Sequence, residues 1–334
     1  MSLPSEMVDI SVVVPVHIGG SNFCLCLDSL AAASPGPSEV IVVADDDEAS
    51  AQFAEQRGAR VLRLAGPQGP ARARNIGARA ALADLLFFVD ADVAIHADAV
   101  GQAAACFARE PELSAVIGTY DDTPAATNML SQYKNLLHHY THMTAREDAF
   151  TFWGACGAIR RQVFLELGGF DASYRRPSIE DIELGYRLKQ RGYRIRLCKT
   201  LQVKHLKRWD AATLLRSDFF CRALPWTDLI LRHGRLANDL NLGVASRLSV
   251  VFVYLLVGAL VLALLWPGFL VLAILIGVVL VLLNAPLYGF YVQKRGAVFA
   301  LQAIPWHWFY FFYSGLAFVI GTARFTFRRM AEKL

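Results

Sequence analysis

The last third of the chain contains three long apolar stretches, none of which carries a Lys, Arg, Asp or Glu. They cover residues 248–265, residues 269–283 with an apolar extension to 292, and residues 297–321. About 20 helical residues cross the roughly 30 Å hydrocarbon core of a bilayer. Buried core helices are the less favoured alternative, because they are usually shorter and rarely apolar on every face. The sequence therefore predicts membrane-spanning helices.

These stretches divide the chain into a soluble part and a membrane part. Hydrophobic residues make up 55% of the sequence, and the excess over an average soluble protein follows residue 246. We expect a soluble N-terminal domain, then amphipathic helices at the membrane interface, a transmembrane region with three apolar segments, and a basic tail. The respective ranges are 1–211, 212–245, 246–323 (segments 248–265, 269–287 and 304–321) and 324–334.

The start of the chain predicts where the first domain lies. Residues 1–9 contain neither a basic start nor a long apolar run, so we expect no cleavable secretory signal. The prediction is a multi-pass protein of the cytoplasmic (inner) membrane with its N-terminal domain in the cytosol. The six cysteines form no CxxC pair, which predicts reduced thiols rather than disulfides or a zinc site.

The basic residues leave one question of topology open. Three spans would place Lys294 and Arg295 inside but Arg328 and Arg329 outside, against the positive-inside tendency. An alternative is that residues 297–303 lie flat in the interface, with the span starting near the proline that follows them.

A second basic cluster lies before the first apolar stretch. Lys and Arg are frequent between residues 187 and 235, where they alternate with aromatic residues from 214 onwards. Nucleic acid would explain this charge equally well, but the adjacent spans favour anionic lipid headgroups. We therefore expect the lipid bilayer, and no nucleic acid, as the partner of this segment.

The first part of the chain alternates strand and helix patterns. Runs rich in β-branched and other apolar residues at 10–14, 40–43, 60–64 and 85–89 are separated by helical patterns, such as 50–57 and 71–83. Alternating strands and helices form βαβ units with right-handed crossovers. The predicted fold class is α/β, with a Rossmann-like, mostly parallel sheet.

Acidic residues fall at two of the predicted strand ends. Asp45 follows one strand, and Asp90 and Asp92 follow another. Ligands of open α/β sheets bind beyond the carboxyl ends of the strands, so these side chains are expected to line one crevice. Paired carboxylates suit Mg²⁺ or Mn²⁺ with open positions for phosphate oxygens. A solvated turn at the end of the strand remains the alternative.

Two helix starts carry further candidate residues. Arg72 and Arg74 open a helix after a Gly and Pro cluster, and helix N-termini and arginines both favour phosphate. Glu180 and Asp181 open another helix, where acidic residues are also expected because of the helix dipole. The functional interpretation of Asp181 is a general base for an acceptor hydroxyl.

In combination these motifs resemble the family 2 glycosyltransferases, which have the GT-A fold, over about residues 10–209. The ordered matches are Ser11-Val-Val-Val-Pro15, residues 40–46, Ala73-Arg74-Asn75-Ile76-Gly77, Asp90-Ala91-Asp92, Gly168-Gly169-Phe170-Asp171, and Glu180-Asp181 followed by Glu183-Leu184-Gly185-Tyr186-Arg187. The resemblance implies an enzyme that transfers a sugar from a nucleotide-sugar donor.

The resemblance also implies roles for individual residues. Asp45 would contact the nucleobase, Asp90 and Asp92 the nucleotide and its Mg²⁺ or Mn²⁺, and Asp181 would be the catalytic base of an inverting displacement. We expect Asp92 to be the direct metal ligand, with Asp90 also close to the metal but nearer the ribose. The residues expected to bind the nucleotide sugar are Pro15, Asp45, Arg74, Asn75, Asp90, Glu180, Arg208 and Trp209. Ala44 departs from the pattern, because many relatives have Asp there, so recognition of the base is expected to differ.

The segment 205–209 stands where processive polysaccharide synthases of the family carry a QxxRW motif, with His205 in place of the Gln. Arg208 would pair with the diphosphate and Trp209 would stack on an acceptor sugar. An amphipathic strap that leads to the membrane is the alternative. The changed motif favours a non-processive enzyme.

We therefore expect an inverting glycosyltransferase that acts at the cytosolic face on a membrane lipid or lipid-linked glycan. A processive polysaccharide synthase and a catalytically silent membrane adaptor are the alternatives. His138 and His142 have the i, i+4 spacing of zinc ligands but lack an HExxH pattern. We expect them on a helix face near the acceptor or the membrane interface.

Overall fold

The computed structural model describes residues 7–234 and 243–331 of the chain. The chain divides into two compact units, Met1–Trp209 and Asp210–Leu334. We call them the catalytic unit and the helical unit and describe each by itself.

The first half of the catalytic unit alternates strands and helices, as the sequence predicts. The elements are β1 (Met7–Val16), α1 (Gly20–Ala31), β2 (Gly36–Asp45), α2 (Glu48–Gln56), β3 (Arg60–Leu64), α3 (Pro70–Ala80) and β4 (Leu85–Val89). β1 pairs in parallel with β2 and β4, and β2 pairs in parallel with β3. The carboxyl ends of β1, β2 and β4 therefore meet at one edge of the sheet.

The second half completes one mixed sheet of eight strands. Its elements are β5 (Val93–Ile95), α4 (Ala99–Arg109), β6 (Leu113–Tyr120), α5 (Met129–Thr144), β7 (Cys156–Arg160), α6 (Arg161–Glu166), α7 (Glu180–Gln190) and β8 (Arg194–His205). The strand order is β3-β2-β1-β4-β7-β6-β8-β5. β7 runs antiparallel to β4 and β6, and β5 runs antiparallel to β8. The α/β, GT-A-like fold class is confirmed, with more antiparallel pairing than the βαβ pattern predicts.

β1 continues beyond the point at which the sequence analysis ends it. Pro15 lies within the strand and pairs with Val43 of β2. On the other side of β1, pairing with β4 stops at Val13. Pro15 therefore lies where one side of β1 is free, and its missing N–H removes no bond to β4.

The core of the catalytic unit forms between the sheet and its helices. Strand residues such as Val13 and Phe88 are fully buried, and Phe88 contacts Phe164 and Phe170 at ring-centroid distances of 5.2 and 5.1 Å. α3 packs closely on β1, because a Cβ on Gly77 would lie 2.5 Å from Val13 Cγ1. Only glycine allows this approach, which fixes the N-terminus of α3 relative to the strand ends.

The helical unit consists of helices over the whole of its described part. They are α8 (Ala211–Arg216), a π-helical segment (Ser217–Ala223), α9 (Leu224–His233), α10 (Val244–Ala263), α11 (Phe269–Leu283), α12 (Ala285–Arg295) and α13 (Ala297–Ala331). α8, the π-helical segment and α9 follow one another without a break. They cover most of the predicted interfacial helices, whose residues 235–242 lie outside the described part, as do residues 332–334 of the basic tail.

The apolar stretches correspond to helices of different character. Within the described residues, α10 is long and apolar enough to cross a membrane, and α11 and α12 together would be too, although they meet at 69°. α13 is not among these candidates, since its Trp, His and Tyr residues between 306 and 313 lower its hydropathy. It also continues through Pro305. A separate interfacial piece at residues 297–303 is therefore not observed, and the number of spans stays a prediction.

Candidate active site

A cavity of about 740 Å³ opens at the edge of the sheet where β1, β2 and β4 end. Its wall includes five of the residues that the sequence analysis selected, namely Pro15, Asp45, Arg74, Asp90 and Asp92. β1, β2 and β4 bring these side chains together because parallel neighbours end at the same edge.

Asp45 lies at the last position of β2 and is 4% exposed. Its two carboxylate oxygens accept hydrogen bonds of 2.8 Å from the backbone amides of Gln68 and Gly69. Asp45 therefore holds the turn before α3. Its predicted contact with a nucleobase would have to share these oxygens.

Gly69 is a tight point in this turn. It has a positive φ of 87°, and a Cβ at this position would lie 2.4 Å from the carbonyl oxygen of Arg175. The turn before α3 and the loop before α7 are thus in direct backbone contact, which only glycine permits. This contact places Arg175 and Arg176 in the cavity wall.

Arg74 forms the centre of a buried charged cluster. Its Nη2 donates to Asp90 Oδ1 at 2.5 Å, and its Nη1 donates to Glu180 Oε1 at 3.0 Å. Burial acts to lower the pKa of Arg74, but the carboxylates of Asp90 and Glu180 outweigh it and raise the pKa. Glu180 also accepts from the amide of Ser178. The cluster ties α3 and α7 to the end of β4.

Asp92 lies two residues beyond Asp90, in the turn between β4 and β5. Burial first, and then the charge of Asp90, raise the pKa of Asp92, while Lys207 and Arg74 act to lower it. The carbonyl of Asp92 accepts from the amide of Leu206 at 2.9 Å. The backbone of the segment after β8 is therefore fixed beside this carboxylate.

The two carboxylates fit a divalent cation that the substrate helps to coordinate. Within residues 7–234 and 243–331, no group of three or more His, Cys, Asp or Glu side chains is placed to hold a metal ion. Asp90 and Asp92 are both half-buried in the wall of the cavity, where their negative charges repel each other. A hard cation would relieve that repulsion, with phosphate oxygens and water as its remaining ligands.

Asp181 lies near this cluster in the first turn of α7. Its Oδ2 accepts from the amide of Gly154 at 3.1 Å, and its Oδ1 accepts from the amide of Ile182 at 2.8 Å. Gly154 in turn packs against Arg74, since a Cβ there would lie 3.3 Å from the guanidinium carbon. Asp181 is half-buried, and neither Asp181 nor Glu180 is part of the cavity wall.

Asn75 lies outside the cavity wall, and its side chain binds the backbone of a neighbouring loop. Its side-chain amide donates to the carbonyl of Phe170 at 2.7 Å, and its Oδ1 accepts from the amide of Phe170 at 2.8 Å. A Cβ on Gly169 would lie 2.3 Å from Asn75 Oδ1. The motif residues Asn75, Gly169 and Phe170 thus form one buried junction between α3 and the loop after α6.

The segment after β8 differs from its predicted arrangement. Lys207 lines the cavity, whereas Arg208 is exposed and outside its wall. Trp209 is 6% exposed; its amide donates to Ser131 Oγ at 2.7 Å. The Lys207 ammonium lies 4.3 Å from the centre of the Trp209 ring. Stacking of Trp209 on an acceptor sugar stays a prediction.

Three basic residues of the cavity wall were missed by the sequence analysis, namely Lys207, Arg175 and Arg176. The signals were present: Lys207 lies inside the segment 205–209, and the two arginines lie in the loop just before Glu180. A sequence pattern does not show which of several adjacent basic side chains turns towards a site.

The histidines of α5 lie in a cluster of rings. His138 lies 4.1 Å from His142 and 4.8 Å from Trp153, measured between ring centroids. Tyr120 stacks on His205 at 4.3 Å. The ring contacts and the absence of a third metal ligand in the described part of the chain favour a packing role over zinc.

Comparisons with known proteins agree with this geometry. Residues 11–168 match the sequence profile of Glycosyl transferase family 2. The mannosyltransferase PcManGT from Pyrobaculum calidifontis, in complex with GDP-Man and Mn²⁺, is similar in structure with a TM-score of 0.56 and 15% sequence identity. The alignment covers 95% of this chain and 88% of that one. No curated protein matches the chain.

Two other solved structures are similar at a lower level. TarS 1–349 of S. aureus in complex with UDP-GlcNAc has a TM-score of 0.48 and 20% identity, and covers 66% of this chain and 65% of that one. GalNAc-T7 with UDP, GalNAc and Mn²⁺ has a TM-score of 0.47 and 19% identity, and covers 60% and 44%. These two similarities are too low to support the fold. The similarity to the mannosyltransferase shows the fold. Residues 11–168 therefore form a glycosyl transferase family 2 domain.

Proposed function

We propose that the chain is an inverting glycosyltransferase that moves a sugar from a nucleotide-sugar donor to a lipid-linked or other membrane-associated acceptor at the cytosolic face. The observation that carries the proposal is the cluster in which Arg74 binds Asp90 beside the cavity at the strand ends. Asp181 lies just behind it. One acidic set can thus serve the leaving group and another carboxylate the acceptor.

The donor end of the reaction belongs to the cavity. Asp45 and Pro15 lie on the side of β1 and β2, and Asp90 and Asp92 lie at the end of β4. Asp92, with Asp90, would hold Mg²⁺ or Mn²⁺, which supplies positive charge against the diphosphate when it is bound. GDP-Man with Mn²⁺, the pair bound by the mannosyltransferase of similar fold, is the first donor and metal to test.

The acceptor end of the reaction belongs to Asp181. A single displacement with inversion needs one base that takes the proton of the attacking hydroxyl. The amides of Gly154 and Ile182 orient the Asp181 carboxylate, so the base is held in place before the acceptor arrives. Inversion follows because the scheme contains one displacement and no covalent sugar intermediate.

The membrane assignment rests on the helical unit. α10 passes the length and hydropathy requirements of a span, and it exposes Val251, Leu255 and Val261. A row of exposed apolar side chains on a helix of this length is stable in lipid rather than in water. An enzyme anchored in this way would meet acceptors that are themselves in the membrane.

The proposal is tested with the purified full-length chain in detergent. Thermal shift with Mn²⁺ and a panel of UDP-, GDP- and dTDP-sugars identifies the donor. Asp148→Asn, at an exposed carboxylate outside the cavity, is the control for loss of a carboxylate at Asp92. Turnover with a membrane lipid extract, followed by NMR of the new anomeric centre, then reports stereochemistry. Retention of configuration would exclude the inverting mechanism.

The same experiment separates the alternatives. A ladder of polymer products would favour a processive polysaccharide synthase. Donor binding that survives Asp92→Ala with unchanged metal dependence, and no turnover, would favour a catalytically silent adaptor. A single added sugar with metal-dependent donor binding supports the proposal.

A further inference from the structure

The basic residues around the cavity have unequal freedom to bind a ligand. The wall contains Arg74, Arg175, Arg176 and Lys207. A nucleoside diphosphate brings at least two negative charges to this wall, so some of these cations must be available to it. Their existing partners indicate which ones are.

Arg74 is already matched by acidic partners. It is 5% exposed, and its two terminal nitrogens bind Asp90 and Glu180. Two carboxylates next to one guanidinium leave no net positive charge for a phosphate. Because Arg74 also joins α3 to α7, its place is to position Asp90.

Arg208, the arginine of the segment 205–209, is turned away from the cavity. Its side chain is exposed and absent from the wall, whereas its neighbour Lys207 is part of the wall. Residues 206–209 have no regular secondary structure, so the contacts that hold this segment decide which of the two side chains lines the cavity.

The register of Lys207 is fixed by contacts on both sides. On one side the amide of Leu206 donates to the carbonyl of Asp92 at 2.9 Å. On the other side the amide of Trp209 donates to Ser131 Oγ at 2.7 Å, and the Trp209 ring supports the ammonium at 4.3 Å. Lys207 is thus a cation held beside Asp92, whereas Arg175 and Arg176 lie on an exposed loop.

The geometry points to Lys207, and not Arg208, as the residue that binds the diphosphate of the nucleotide-sugar donor. This inference rests on the proposed function, since it names the residue that meets the leaving group. A lysine ammonium is a point charge that neutralises phosphate oxygens directly. Its support by the Trp209 ring gives that buried tryptophan a role in holding the cation.

The test measures nucleotide binding rather than turnover. Isothermal titration of the full-length chain with UDP and UMP, with GDP and GMP, and with dTDP and dTMP is carried out with Mn²⁺ and again with EDTA. Lys207→Ala should weaken binding of the diphosphate about 10-fold or more, which is the effect of one charged hydrogen bond. Binding of the matching monophosphate should change by less than about 2-fold, because the inference takes the second phosphate of the diphosphate as the group that Lys207 binds.

Arg208→Ala is the rival variant, and Arg79→Ala controls for the loss of one positive charge. Arg79 is exposed near the end of α3 and outside the cavity wall. Loss of diphosphate affinity in Arg208→Ala but not in Lys207→Ala would overturn the inference. So would an equal loss of monophosphate and diphosphate affinity in Lys207→Ala at an unchanged melting temperature.

The titration distinguishes failure of the proposed function from failure of the inference about Lys207 alone. If the unaltered chain binds none of these nucleoside diphosphates, the proposed function and the inference both fail. If the unaltered chain binds one of them and Lys207→Ala binds it equally tightly, only the inference fails. Partial recovery of diphosphate affinity in Lys207→Arg would support a charge role for this position.

Discussion

The two units of the chain bury and expose their apolar residues in opposite ways. In the catalytic unit, strand residues such as Val13 and Phe88 are fully buried, and few large apolar side chains are exposed. In the helical unit, Val251 is 54% exposed, Ile274 66% and Val319 63%. The surface of the catalytic unit suits contact with water. The apolar surface of the helical unit suits contact with lipid.

The polar groups inside the two units differ in the same sense. The catalytic unit buries the charged side chains of Arg74 and Glu180 against each other. The helical unit buries neutral pairs, with Asn284 donating to Ser249 at 2.9 Å and the Tyr288 hydroxyl 3.1 Å from His307 Nδ1. It also buries the carboxylate of Asp218, which accepts from the neutral Tyr313 hydroxyl at 2.8 Å. Charged pairs serve a site that must handle a charged ligand, while neutral pairs join helices at lower desolvation cost.

The contrast between the two units requires that the exposed apolar surface of α10 faces lipid. Replacing both Val251 and Leu255 by Lys should cost about 5–7 kcal/mol of membrane insertion, at about 2.5–3.5 kcal/mol for each lysine near the centre of a span. We expect the double variant to leave the membrane fraction in alkaline carbonate extraction. The matched control is Val251→Ala with Leu255→Ala, which should stay in that fraction. Equal membrane retention of the lysine variant would argue against a span here.

The catalytic unit should show its largest effect at Asp181. Asp181→Asn keeps an oxygen that can accept from the amide of Gly154 or Ile182, but it cannot take a proton. Turnover with a hydroxyl acceptor should fall about 10³-fold, as for other general bases, while donor affinity stays the same. Asp171→Asn, at an exposed carboxylate, is the control. Near-normal turnover in Asp181→Asn would point to an acceptor that is already ionised, such as a phosphate.

Buried charge in one unit and buried neutral pairs in the other can be compared directly. Glu180→Gln removes one of two carboxylates from Arg74 and should cost about 2–3 kcal/mol of unfolding free energy. Asn284→Leu removes a neutral bond between helices and should cost about 0.6 kcal/mol. Chemical denaturation in detergent, with probes in each unit, measures both. Equal costs would show that the buried ion pair and the buried neutral pair contribute equally to stability.

Local sequence signals predicted the elements that depend on nearby residues. β3 and β4 have the predicted bounds, since each is a short run that ends at turn residues. α7 starts at Glu180, the residue with which the sequence analysis opens this helix. The strand ends that carry Asp45 and Asp90 followed from the same pattern. In each case the residues that decide the structure lie within one or two turns of the element.

The features that were not predicted depend on residues that are distant in the sequence. Glu180 matches Arg74 across 106 positions, so the loss of free charge on Arg74 could not be predicted from its own helix. The side of the chain on which Lys207 lies depends on the bond from Leu206 to Asp92. The antiparallel strand β7 inserts between β4 and β6, and no local periodicity distinguishes it from a parallel strand.

A smaller effect than that of Glu180→Gln is expected at the turn that leads into α2, at the donor side of the catalytic unit. Asp47 accepts hydrogen bonds from the amide and hydroxyl of Ser50 and from the amide of Gly19. Partial burial acts to raise the pKa of Asp47, but the bonds from Ser50 and Gly19 outweigh it and the pKa is lowered. Asp47→Ala should therefore cost about 1 kcal/mol of unfolding free energy at pH 7.

The pH dependence of this cost follows from the sign of the shift. A carboxyl with a lowered pKa in the folded protein stabilises it above the unfolded pKa of about 3.9, and the contribution is lost as the pH falls through the folded value. The difference between Asp47→Ala and the unaltered chain should thus be constant from pH 8 to 5 and shrink below about pH 4. Denaturation midpoints at each pH measure it. Asp98→Ala, at the N-cap of α4 where no side-chain capping hydrogen bond forms, is the control, and an equal pH-dependent difference there would show that the capping contacts of Asp47 are not its source.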